Sequence, residues 1–166
     1  MSAEYDRLRE AGLGGEQLGE RIMEISLKNL ALGFVAGAIA VVTVHDLIRY
    51  ILYAMDLFPL APWSTQPSAV TGVPQVASDM FWGGLWGVLF VLLLGIIPGG
   101  SLPVQGLIYG IVAPAILGVF ILVPLITGRF PLFFGGDIKL IGSVLLILAG
   151  WGVATGWLYG FLASKV

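Results

Sequence analysis

Polar and apolar positions separate along this chain into long blocks. From Met80 to Gly128 there is no Asp, Glu, Lys or Arg, and a second uncharged run extends from Leu140 to Ser164. A bilayer core about 30 Å thick is crossed by roughly 20 apolar residues at 1.5 Å rise each. The first run therefore holds two spans, divided at Pro98-Gly99-Gly100-Ser101-Leu102-Pro103, and the second holds one more. A further apolar stretch, about 29–50, supplies the first span. The pattern predicts an all-α membrane protein with four transmembrane helices, at about 29–50, 79–97, 104–127 and 138–163, in an antiparallel bundle. Residues 29–166 form the membrane domain and 1–28 a polar N-terminal tail.

Within that tail Leu18, Ile22, Ile25 and Leu30 recur at helical spacing between Glu16, Glu20, Arg21, Glu24 and Lys28. This is an amphipathic helical segment, lying at the interface or continuing into the first span. No apolar stretch resembling a signal-peptide core precedes that span, so it reads as an uncleaved signal anchor. An outer loop, about 54–78, carries Pro59, Pro62, Pro67 and Pro74, and proline at that density opposes a long regular element. Ser78 or Asp79 stands where the second helix should start, and Asp137 where the fourth should, and these are expected to cap them. Pro114 predicts a kink in the third.

Glycine repeats inside the spans. Gly83-Gly84-Leu85-Trp86-Gly87, Gly106-Leu107-Ile108-Tyr109-Gly110 and Gly156-Trp157-Leu158-Tyr159-Gly160 share one form, and Gly33 to Gly37 is a variant. With Gly152, these positions make glycine-lined packing faces, because glycines four apart let backbones approach closely. The faces either join the four spans of one chain or bind a second protein.

Composition then removes most chemistries. The chain has 166 residues, of which 58% are hydrophobic and 11% charged, against about 25% charged in soluble domains. The absence of cysteine excludes disulfides and thiolate metal sites. A single histidine and no paired-carboxylate pattern leave no metal site, no cofactor set and no hydrolase triad. A net charge of −2 without a basic cluster gives no sign of nucleic-acid binding. Positive residues number five on the side of the termini (Arg7, Arg9, Arg21, Lys28, Lys165) and three opposite (Arg49, Arg129, Lys139). That balance predicts both termini on the cytoplasmic side.

His45, Asp46 and Arg49 form the one polar cluster near a span, at helical i,i+3 and i,i+4 spacing. Ionisable groups near lipid are functional candidates. This cluster reads as an interfacial anchor or ion pair, as a proton or ion site, or as a ligand to a cofactor or lipid headgroup. The stretch Gly83–Gly136, with its GGLWG and GLIYG motifs and Val123-Pro124-Leu125-Ile126-Thr127-Gly128 before Arg129-Phe130-Pro131, resembles small YagU-like bacterial inner-membrane proteins. The resemblance covers about a third of the chain and implies a four-helix inner-membrane protein. The expected function is that of a non-enzymatic membrane subunit, packing through its glycine faces with itself as a homo-oligomer or with a larger membrane complex. The alternative is a small oligomeric channel or transporter with its polar site near His45, Asp46 and Arg49. A third reading is a lipid- or quinone-handling protein using aromatic residues near Trp63, Trp82 and Trp86.

Overall fold

The computed structural model describes residues 27–68, 71–128 and 131–165. The amphipathic segment expected at 16–28 lies almost wholly outside the described residues. Four helices are long and apolar enough to cross a membrane: α1 (Leu27–Ala54), α2 (Gln75–Leu93), α3 (Leu102–Thr127) and α4 (Ile138–Ala163). Among the described residues there is no strand, only an isolated bridge between Pro67 and Pro74. The chain is a helical, multi-pass membrane protein.

Each helix begins and ends for a local reason. Asp137 caps α4 as expected, its carboxylate accepting from the amides of Lys139 (2.9 Å) and Leu140 (3.2 Å). Gly128 closes α3 in the left-handed conformation that glycine adopts without a Cβ penalty. Neither Ser78 nor Asp79 caps α2. That helix starts earlier, at Gln75, because the preceding loop supplies the cap. The amide of Gln75 donates to the Gln66 carbonyl and that of Val76 to the Ser64 carbonyl, both at 2.9 Å. Asp79 thus enters the helix with its side chain free for tertiary contacts. The second span accordingly covers 75–93 rather than 79–97, and the first runs on to Ala54.

Two spans contain π-helical turns. In α1 these are residues Val41–His45, and in α3 they are Ile111–Leu122, with Pro114 inside. The break expected at Pro114 is therefore a widened stretch of helix. Proline removes an amide donor, and the i→i+5 pattern is one way a helix absorbs that loss.

The main helix contacts join α1 to α2, α3 to α4, and α1 to α4. Glycines stand at the first two. A Cβ at Gly37 would strike the Gly83 carbonyl, and one at Gly87 would strike the Gly33 carbonyl. Gly106 and Gly152 face each other in the same way, and Gly156 lies against the Leu102 carbonyl. Gly110 faces the Leu148 carbonyl, and Gly160 faces the Leu102 side chain. Phe90, Tyr109, Trp151 and Tyr159 fill the centre of the molecule. The connection after α1 and the 3-10 turn Leu132–Gly136 meet at one end, where Phe58 and Phe134 pack on one apolar cluster and Ser143 Oγ donates to the Leu57 carbonyl. We call this the loop end.

Candidate functional site

The sequence-predicted cluster sits on α1 near the loop end. His45 closes the π-helical turns, and Asp46 and Arg49 follow in the next turn of α-helix. Asp46 is 0% exposed and Arg49 5%. A charge so buried must be paired to be tolerated, and each is. Asp46 Oδ1 lies 3.1 Å from His45 Nδ1 and 3.0 Å from Arg49 Nη2. Its Oδ2 accepts from the Trp63 amide at 3.0 Å. An ionised carboxylate only accepts, so this geometry assigns a proton to His45 Nδ1 and leaves Nε2 outside this contact.

Arg49 reaches across to α2. Its Nη1 donates to Asp79 Oδ2 at 3.0 Å, and Gln75 Nε2 donates to Asp79 Oδ1 at 2.6 Å. The result is a chain of contacts from His45 through Asp46, Arg49 and Asp79 to Gln75. Arg49 Nη2 is close enough to Asp46 for an ion pair but misaligned for a hydrogen bond, and Nε has no hydrogen-bond partner. The guanidinium is held mainly by charge on that side.

Helical spacing grouped His45, Asp46 and Arg49, which lie in contact here; it did not join to them Gln75, Asp79 or Trp63, the last of which the sequence offered only among the aromatic residues of a lipid-handling reading. Trp63 arrives from the loop with φ +45°, a conformation rare for a bulky residue. Two hydrogen bonds hold it: its amide to Asp46, and its indole Nε1 to the Val42 carbonyl at 2.9 Å. Val42 lies within the π-helical turns.

Beside this network lies a cavity of about 550 Å³, within the range of small-molecule sites. It occupies the gap between α2 and α3, which make few contacts with each other. Toward the far end Tyr109 Oη donates to the Trp86 carbonyl of α2 (2.7 Å), and Gln105 Nε2 donates to the carbonyls of Ile97 (2.8 Å) and Leu94 (3.2 Å) in the turn that joins the two helices. The cavity wall is polar at the loop end, where His45, Gln75 and Asp79 meet. It is apolar below, along Trp86, Pro114, Gly118 and Leu148. The π-helical turns of both α1 and α3 contribute to this wall. From Gln75 to Trp86 the helix rises about 16 Å.

None of the nine glycines at the expected packing faces lines the polar network, although Gly83 contributes to the cavity wall. Among the described residues no cluster of His, Asp and Glu could hold a metal ion. Comparison with protein-family models, curated proteins and solved structures finds no match to the chain.

Proposed function

We propose that this chain is a non-catalytic inner-membrane protein that binds an amphipathic, membrane-soluble molecule in the cleft between α2 and α3. One observation carries the reading: the cavity joins a polar, hydrogen-bonding end to an apolar floor within one membrane domain. A molecule with a polar head and an apolar tail matches that gradient along its length. The turn that joins α2 to α3 closes the far end and gives it one direction of entry. His45 is then a contact for the head, Trp82 and Trp86 line the path of the tail, and the Asp46–Arg49–Asp79 ion pairs hold α2, one wall of the opening, to α1.

The same proposal places the four spans in an antiparallel bundle with its termini in the cytoplasm. Its glycine faces hold one chain together. What supports this use of the glycines is that Gly33, Gly37, Gly83, Gly87, Gly106, Gly110, Gly152, Gly156 and Gly160 all have neighbours on another span of the same chain. A homo-oligomer or larger complex would then assemble through other surfaces.

The test is to purify the protein in a mild detergent and identify co-purifying small molecules by mass spectrometry. Wild type should carry a lipid species enriched over the bulk extract. Val119→Trp, which fills the cavity, should lose it while keeping the same helical content. No enrichment in wild type, or equal enrichment in Val119→Trp, defeats the proposal.

A further inference from the structure

We infer that the head of the bound molecule is an uncharged hydroxyl, so that the cleft selects a long-chain or isoprenoid alcohol over the corresponding phosphate or amine. This rests on the cleft reading above and concerns only which head the polar end accepts.

Among the described residues the polar end has no cation to spare. No Lys or Arg among them lines the cavity. The nearby guanidinium of Arg49 is committed to Asp46 on one side and Asp79 on the other. Two carboxylates against one guanidinium leave the network at −1 when His45 is neutral. A phosphate would lose its hydration beside that charge without gaining a partner.

The usual refuge for an anion is narrowed as well. A helix N-terminus binds phosphate through its unpaired amides, and α2 begins at the polar end. Its first amides, of Gln75 and Val76, are taken by the carbonyls of Gln66 and Ser64. Asp79 already places a negative charge near the positive end of that helix dipole.

An ammonium fits poorly for a different reason. Each oxygen of Asp79 already holds a donor, Gln75 on one and Arg49 on the other. The net charge of the network would draw a cation, but the nearest carboxylate already holds a donor on each oxygen and the cation would give up far more hydration than a hydroxyl.

What the polar end does offer is acceptors. His45 Nδ1 is engaged with Asp46, so in the neutral ring Nε2 presents a lone pair. Gln75 uses its Nε2 on Asp79, so its carbonyl oxygen keeps acceptor capacity. Both residues line the cavity. A hydroxyl donates to such acceptors and carries no charge to desolvate.

Four ligands with one tail isolate the head. The full-length protein in nanodiscs is equilibrated with tritiated geranylgeraniol. Displacement by unlabelled geranylgeraniol, geranylgeranyl phosphate, geranylgeranylamine and geranylgeranyl methyl ether is then measured. The alcohol should bind at least tenfold tighter than the phosphate or the amine, about 1.4 kcal/mol. The methyl ether, equally uncharged but without a donor, should also be weaker than the alcohol. In His45→Phe the advantage of alcohol over ether should shrink while affinity for the tail remains. Phosphate or amine binding as tightly as the alcohol overturns the inference and leaves the cleft reading standing. Ether binding equal to alcohol binding overturns it too, without depending on any protein variant. Failure of all four to bind defeats the cleft reading itself, and the inference with it.

Discussion

Replacing Arg49 by methionine removes the one cation in the network while keeping much of its length and apolar stem. Asp46, fully buried, loses its closest opposite charge at 3.0 Å, and Asp79 loses the donor on Oδ2. Breaking a buried ion pair from one side costs about 3–5 kcal/mol, because the abandoned charge stays in a poorly solvated place. Two features pull the value toward the lower end. Asp46 keeps its contacts to the Trp63 amide and His45, and Asp79 is about a fifth exposed and keeps Gln75. We expect a loss of about 3 kcal/mol. It would be measured as the free energy of unfolding in mixed micelles of increasing SDS content, followed by tryptophan fluorescence. The control is the triple variant Arg49→Met, Asp46→Asn, Asp79→Asn. Neutralising both carboxylates removes the stranded charges, so the triple variant should recover more than half of the loss. A change below about 0.5 kcal/mol in Arg49→Met would place the pair among surface salt bridges of negligible worth and refute the buried-network argument. A triple variant no better than the single one would show that the damage lies in packing and not in charge.

Other substitutions probe the remaining contacts. Gly156→Leu should lower stability by about 1–3 kcal/mol, since a side chain there meets the Leu102 backbone and forces α3 from α4; unchanged stability in the same titration would refute close packing at that point. Trp63→Phe removes the indole donor to Val42 and should cost about 1 kcal/mol, with faster hydrogen exchange in the loop as its local signature. Gln105→Leu strips a donor from two carbonyls near the α2–α3 turn and should cost about 1–2 kcal/mol; equal melting of variant and wild type would show that water replaces the amide. Cysteines placed at Thr65, an exposed loop position, and at Ser164 test orientation. An impermeant thiol reagent should label the first in intact cells and the second only after lysis, and the reverse pattern would invert the proposed topology.

The spans were legible because nothing but lipid explains so long a stretch without charge. The cap at Asp137 was legible because capping is local and the residue type announces it. The start of α2 was not. Its cap is made by backbone carbonyls of Ser64 and Gln66, and backbone groups carry no mark in a sequence. Taking Asp79 for the cap concealed its larger role, since a carboxylate that reaches 30 positions back to Arg49 has no local signature. His45, Asp46 and Arg49 could be grouped because helical spacing groups them. The cavity beside them could not be foreseen, because it arises where two helices fail to touch. Pro114 hinted at irregularity in α3, whereas Val41–His45 in α1 contains neither proline nor glycine to betray its wider turns.

Those wider turns in α1 solve a problem of phase. Gly33 and Gly37 meet α2 at Gly87 and Gly83, and twelve residues beyond Gly37 Arg49 meets α2 again at Asp79. A plain α-helix advances about 100° per residue, so positions four apart drift by about 40° at each step, and from Gly33 to Arg49 the drift reaches about 160°. Arg49 would point away from α2. A π-helical turn takes more residues to close a circle and winds part of that drift back. The surplus length in Val41–His45 thus acts as a phase correction, letting one helix show the same neighbour bare backbone at one level and a charge at another.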